Sequence, residues 1–269
     1  MNYEMNFKKA RILFLSDVDI ESATRLAEHF VPKTPQFDAI VVCGPFSADA
    51  TEEIKSKEAD ALALGDMSST LAQLENIVCR VIYLPAEWDP RSALEEELHL
   101  TPNTVNIHGR EMPLVEGLNI AGLTEIEESI GDEEEPIMDS GDDPPVPDPV
   151  GQTMRAESKS ASTVTTLLEN LTKCEADSSI FLLNHRYMHT LNSFLFYRQE
   201  LLEQAGIVLC VIPRSDEVTA RLPTKMGNIN FLVPKSLRQG GHYSFADFEI
   251  TEDGPWALTK IESTQLSES

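Results

Sequence analysis

Ile12-Leu13-Phe14-Leu15-Ser16-Asp17-Val18-Asp19 sets four consecutive apolar residues just ahead of two carboxylates. An unbroken apolar run of this length predicts a strand buried on both faces, as in the middle of a mostly parallel sheet. Asp17 and Asp19 then stand at its carboxyl end, where open α/β sheets collect ligands. The period changes beyond them, and Ala23, Leu26, Ala27 and Phe30 share one face of a helix. A strand, a polar end and an amphipathic helix together form the unit of crossover-linked α/β folds.

The unit recurs along the chain. Further strands are predicted over Ala39–Val42, Val81–Leu84, Leu118–Leu123, Ile180–Leu183, Ile207–Val211, Asn230–Val233 and Tyr243–Ile250. Helical faces are predicted from Met67, Leu71, Leu74 and Val78, and from Val164, Leu167, Leu168 and Leu171. The last two strands have no helical pattern between them and are expected to form an antiparallel pair. The 269 residues, 41% of them hydrophobic, suit one α/β domain spanning 1–269.

Residues 124–162 break the alternation. Glu127, Glu128, Asp132 to Glu135, Asp139, Asp142, Asp143 and Asp148 are interleaved with Pro136, Pro144, Pro145, Pro147 and Pro149, a composition expected to stay disordered. This acidic, proline-rich insertion is read as a tolerated surface loop. The alternative is an acidic docking or regulatory segment offering Ser158, Ser160, Ser162 and Thr163 for phosphorylation. Residues 262–269 are expected to be a flexible C-terminal tail.

Charge and cysteine content bound the function. With 21 Lys+Arg against 45 Asp+Glu, the formal net charge is −24, which repels a phosphate backbone and argues against nucleic acid as a partner. Cys43, Cys79, Cys174 and Cys210 form no Cys-x-x-Cys pair, so buried free thiols in a reducing compartment are expected. The apolar stretch behind Lys8, Lys9 and Arg11 is too short for a leader or a membrane span. A cytoplasmic protein with no membrane association is therefore expected.

Several familiar motifs are incomplete. Gly44-Pro45-Phe46-Ser47 lacks the further glycines and the lysine of a phosphate-cradling loop. His185 and His189 lack the glutamate of a metalloprotease helix, and no Gly-x-Ser-x-Gly elbow is present. Gly65-Asp66 stands at the start of a predicted helix, where Asp66 is expected to serve as the N-cap.

The polar strand ends carry more information when taken in order. They are Asp17-Val18-Asp19, then Gly44-Pro45-Phe46-Ser47, then Leu84-Pro85-Ala86-Glu87-Trp88-Asp89-Pro90, then Asn184-His185, then Pro213-Arg214-Ser215-Asp216-Glu217. This order resembles the calcineurin-like metallophosphoesterases, whose strand ends carry Asp-x-His, Gly-Asp-x-x-Asp, Gly-Asn-His-Asp/Glu, a single His and Gly-His-x-His. Asn106-Ile107-His108-Gly109 leading to Leu118–Leu123 resembles the stretch before that family's glycine-rich loop. Val233-Pro234-Lys235-Ser236-Leu237-Arg238 resembles its Asn-Pro-Gly-Ser-Leu-Arg segment. The resemblance spans nearly the whole chain and implies an α/β sandwich of two mixed β-sheets flanked by helices.

It also implies that the family's two-metal chemistry is lost. Two-metal hydrolysis needs a bridging carboxylate, and that position falls on Pro45, which has no side-chain donor atom. The metal-binding Asn falls on Glu87 and the proton-donating His on Trp88, whose indole does no acid work near neutral pH. The two His of the last motif fall on Arg214 and Asp216. Asp17, Asp89 and His185 survive, with Asp19 and Asp216 as carboxylates where the family has imidazoles. Asp17, Asp19 and Asp216 form a candidate site for a single Mn²⁺ or Mg²⁺, the preferred expectation being no cofactor. Arg214 is the expected counter-ion of that acidic cluster, and loop tethers are the competing role for Asp17 and Asp89.

The resulting expectation is a pseudoenzyme that keeps the scaffold and binds a protein partner. Small subunits of replicative DNA polymerases and a retromer subunit, which also resemble phosphoesterases, give precedent for that use. The alternative is a divergent phosphate mono- or diester hydrolase working with one divalent cation.

Overall fold

The apolar run that opens the chain becomes β1 (Lys8–Ser16), an interior strand flanked by β2 (Ala39–Cys43) in parallel and β11 (His242–Ile250) in antiparallel. The structure is a computed structural model describing residues 8–30, 37–46, 57–78, 80–86, 89–94, 100–124, 164–173, 178–184, 199–213, 225–226, 229–250 and 254–266. Parallel pairing continues through β3 (Val81–Leu84) to β4 (Thr104–Asn106), and β12 (Ala257–Gln265) closes the other edge. The first sheet therefore runs β12-β11-β1-β2-β3-β4.

The second sheet contains β5 (Arg110–Val115), β6 (Leu118–Leu123), β7 (Ser178–Leu183), β8 (Ile207–Val211), β9 (Lys225–Met226) and β10 (Ile229–Leu232), in the order β5-β6-β7-β8-β10-β9. Its central pairs are parallel and its outer pairs antiparallel. The fold is α/β, with two mixed β-sheets flanked by helices.

Alternation along each strand explains why the apolar runs have no polar side. Ile12, Phe14, Val41, Ile82 and Leu84 face the other sheet and pack on Ile120, Ile180, Leu182, Leu209 and Val211. Leu13, Leu15, Ile40, Val42 and Tyr83 point the opposite way, toward α1 (Ile20–Phe30) and α2 (Lys57–Glu75). On the outer face of the second sheet, Phe181, Leu183 and Cys210 meet Val164, Leu167, Leu168 and Leu171 of the helix over 164–171. Both sheets are thus covered on both faces, as buried parallel strands require.

Several expectations are corrected. The expected antiparallel pair of Asn230–Val233 and Tyr243–Ile250 does not form, because β10 joins the second sheet beside β8 while β11 joins the first beside β1. The intervening segment carries the chain across, with a short helix at Leu237–Gly240 capped by Ser236. Asp66 is not an N-cap, because α2 starts at Lys57 and runs through it. Ala61, Leu62, Ala63 and Leu64 are strong helix formers, and their propensity outweighs the cost of about 1 kcal/mol at Gly65. Residues 262–266 are not a flexible tail, since β12 extends to Gln265 and Leu266 is buried, while 267–269 lie outside the described residues.

Cys43 and Cys210 are buried free thiols, both pushed up to about 12 by burial, whereas Cys79 and Cys174 lie outside the described residues. Of the acidic insertion, only Thr124 is described, and it is buried; the remainder lies outside the described residues. Among the described residues no helix is long and apolar enough to cross a membrane.

Candidate functional site

The carboxyl ends of β1, β2 and β3 bring Asp17, Gly44-Pro45 and Asp89 together, and the crossing segment adds Ser236 and Arg238. Asp17 takes φ +52°, a left-handed conformation that Asp tolerates better than most non-glycine residues. Its backbone is held on both sides, the N–H donating to Cys43 O at 3.2 Å and the carbonyl accepting from Arg238 N–H at 3.0 Å. Ser236 Oγ donates to Asp17 Oδ2 at 2.5 Å. Arg238 Nη2 lies 2.6 Å from Oδ1, a charge contact rather than an aligned hydrogen bond. Both carboxylate oxygens of Asp17 are therefore engaged from one short segment.

Asp19 has a local task. Its Oδ1 accepts from Ser22 N–H at 2.8 Å while its own N–H donates to Ser22 Oγ at 3.1 Å, a reciprocal cap on α1. Asp19→Ala is expected to destabilise the fold by about 1 kcal/mol, the usual cost of losing such a cap, measured as a lower urea midpoint. A loss below about 0.3 kcal/mol would mean that the cap contributes nothing beyond what water supplies.

Asp89 is 3% exposed and ties two loops together. Its Oδ1 accepts from Phe46 N–H and its Oδ2 from Ala86 N–H, both at 2.7 Å. Burial pushes its carboxyl up to about 7 and the charge of Asp17 adds to this, while the two N–H groups and the Arg238 guanidinium pull it down. Gly44 makes room for the arrangement, because a Cβ there would stand 2.2 Å from Asp89 Oδ2 and 2.6 Å from Ala86 N. The Gly44-Pro45 peptide is cis, and Pro45 O accepts from Val18 N–H at 3.0 Å.

The second sheet reaches the same end through Pro85. The Pro85 carbonyl accepts from Thr124 Oγ1 and, at 3.1 Å, from Asn184 Nδ2. Thr124 N–H donates to His108 Nδ1 at 3.1 Å, which leaves the proton of neutral His108 on Nε2.

No family model matches the sequence, and no curated protein matches it. Solved structures do. TT1561 of Thermus thermophilus aligns with 91% of this chain and 99% of its own, at a TM-score of 0.53 and 18% identity. Another solved structure aligns with 97% of this chain and 100% of its own, at a TM-score of 0.59 and 12% identity. At such identities the likeness shows the fold alone.

Of the strand-end residues singled out by sequence, Asp17, Asp19, Pro45 and Asp89 are placed at one end of the first sheet, whereas Glu87, Trp88, His185, Arg214 and Asp216 lie outside the described residues. A two-metal centre does not fit the residues that are placed. Pro45 offers no side-chain donor and its carbonyl oxygen accepts from Val18 N–H, Asp17 has both oxygens engaged, and Asp19 spends one on its helix. Among the described residues no three His, Cys, Asp or Glu side chains come together as an ion would need. Asp89 has the tethering role that competed with ligation. Ser236 and Arg238 were missed as partners of Asp17. Their one sequence signal was a serine before a short helix, in a segment noted for its resemblance alone.

Proposed function

We propose that this chain is a catalytically inert relative of the calcineurin-like metallophosphoesterases, serving as a protein-binding module. The observation that carries the reading is the closure of Asp17 by Ser236 Oγ at 2.5 Å and Arg238 Nη2 at 2.6 Å. A hydrolase needs a strand-end carboxylate open to a cation or a reacting water, and this one is committed to the protein's own groups. The order of strand-end motifs supports the family, and the sandwich of two mixed sheets is compatible with it. The net charge of −24 favours a partner with a basic contact face over nucleic acid, in the cytoplasm.

The test is turnover of bis(p-nitrophenyl) phosphate with Mn²⁺, run beside Asp17→Ala and an active family enzyme. No turnover above buffer is expected for either form of this chain. Turnover that disappears in Asp17→Ala would overturn the reading in favour of a divergent single-metal phosphoesterase.

A further inference from the structure

We infer that Arg238 is the built-in cation of this site, occupying electrostatically the place of a metal and keeping divalent ions from Asp17. The inference rests on the proposed function and names the residue that enforces it.

Asp17 and Asp89 are two carboxyl groups in one shielded corner, where a buried negative charge without a positive one beside it is costly. Arg238 supplies that charge, its guanidinium 2.6 Å from Asp17 Oδ1, with side chains 21% and 14% exposed. Its field also reaches Asp89.

The arginine is held in place by its surroundings. Its backbone N–H donates to Asp17 O at 3.0 Å. The preceding Ser236 caps the short helix by accepting from Gln239 N–H at 2.9 Å, and Ser236 Oγ donates to Asp17 Oδ2. Gly241, at φ +63°, closes the helix with its N–H on Leu237 O at 2.7 Å. A divalent ion approaching Asp17 would meet the positive charge of the Arg238 guanidinium. Arg238 is thus a positioning residue that also excludes cations, and a purely structural arginine would not have the second effect.

The experiment is Mn²⁺ titration of the full chain, with free Mn²⁺ read by electron paramagnetic resonance. A net charge of −24 attracts Mn²⁺ nonspecifically, so the quantity of interest is the uptake that Asp17→Asn removes. In the unsubstituted protein that Asp17-dependent uptake is expected to be absent. Arg238→Ala and Arg238→Gln are each expected to gain an Asp17-dependent Mn²⁺ equivalent, about tenfold or more tighter than any in the parent, as loss of an adjacent positive charge implies. Arg238→Lys should behave as the parent. Should Arg238→Ala fail to fold, Arg238→Gln, which keeps hydrogen-bond donors without the charge, carries the same comparison. Asp17-dependent uptake by the parent would overturn the inference, as would no gain in the folded, uncharged variants. Asp17-dependent uptake by the parent without diester turnover would sink this inference alone, whereas turnover by the parent would sink the proposed function.

Discussion

Asp89→Ala is expected to destabilise the fold by about 2–6 kcal/mol, because it leaves two buried N–H groups unpaired at about 1–3 kcal/mol each. Those groups are Phe46 N–H and Ala86 N–H, which Asp89 accepts at 2.7 Å across the loops after β2 and β3. The lower part of the range applies at pH 7 and above, where burial of the ionised carboxylate opposes its hydrogen bonds. Asp89 also makes stability depend on pH. Its carboxyl is raised from 3.8 to about 7, so the folded chain holds the proton where the unfolded chain has released it. The stabilisation is fully present below about pH 4 and is lost as pH rises through about 7. The charges of Asp17 and Arg238 act on Asp89 in opposite directions, and their balance sets where in that window the loss occurs. Urea midpoints from pH 4 to 8 for the parent and Asp89→Asn check this. The difference between the two should shrink with rising pH, and a difference that grows would show that hydrogen bonding to the ionised form dominates burial.

Gly44→Ala is the second large effect, expected at about 1–3 kcal/mol or more, the usual range for overpacking a filled interior. The added methyl would approach Asp89 Oδ2 to 2.2 Å and the backbone Ala86 N to 2.6 Å, and the latter moves only if the loop after β3 moves. Thermal unfolding of Gly44→Ala, Asp89→Ala and the double variant separates the two clashes. The double variant should be more stable than the sum of the singles predicts, since one clash is already gone. Strict additivity would mean that the two residues do not touch.

Legibility followed burial. The central strands were readable because both faces of each sheet are covered, which makes β1, β2, β3, β6, β7 and β8 nearly continuous apolar runs. The edge strands were not. β12 is exposed along most of its length and carries Lys260 and Glu262, and β5 holds the half-exposed Arg110, Glu111 and Met112 before Pro113. β4 is three residues long, too short for any period to appear. The turn between β5 and β6 did leave a trace in Gly117, whose φ of +82° glycine adopts readily.

The site was half legible for a related reason. Asp17 and Asp89 announced themselves as carboxylates just past buried strands, a local signal. Ser236 meets Asp17 across 219 positions of sequence, and it does so because the chain leaves the second sheet after β10 and enters the first at β11. No local pattern encodes that crossing. The expected counter-ion was Arg214, whereas the described arginine beside Asp17 is Arg238, brought there by the tertiary path.

The most direct test of a self-closed strand-end site is a crystal structure grown with Mn²⁺, with anomalous data collected at the manganese edge. Arg238 Nη2 should lie near 2.6 Å from Asp17 Oδ1, as in the present structure, with no manganese peak beside Asp17. A manganese peak ligated by Asp17, with Arg238 turned away, would contradict it.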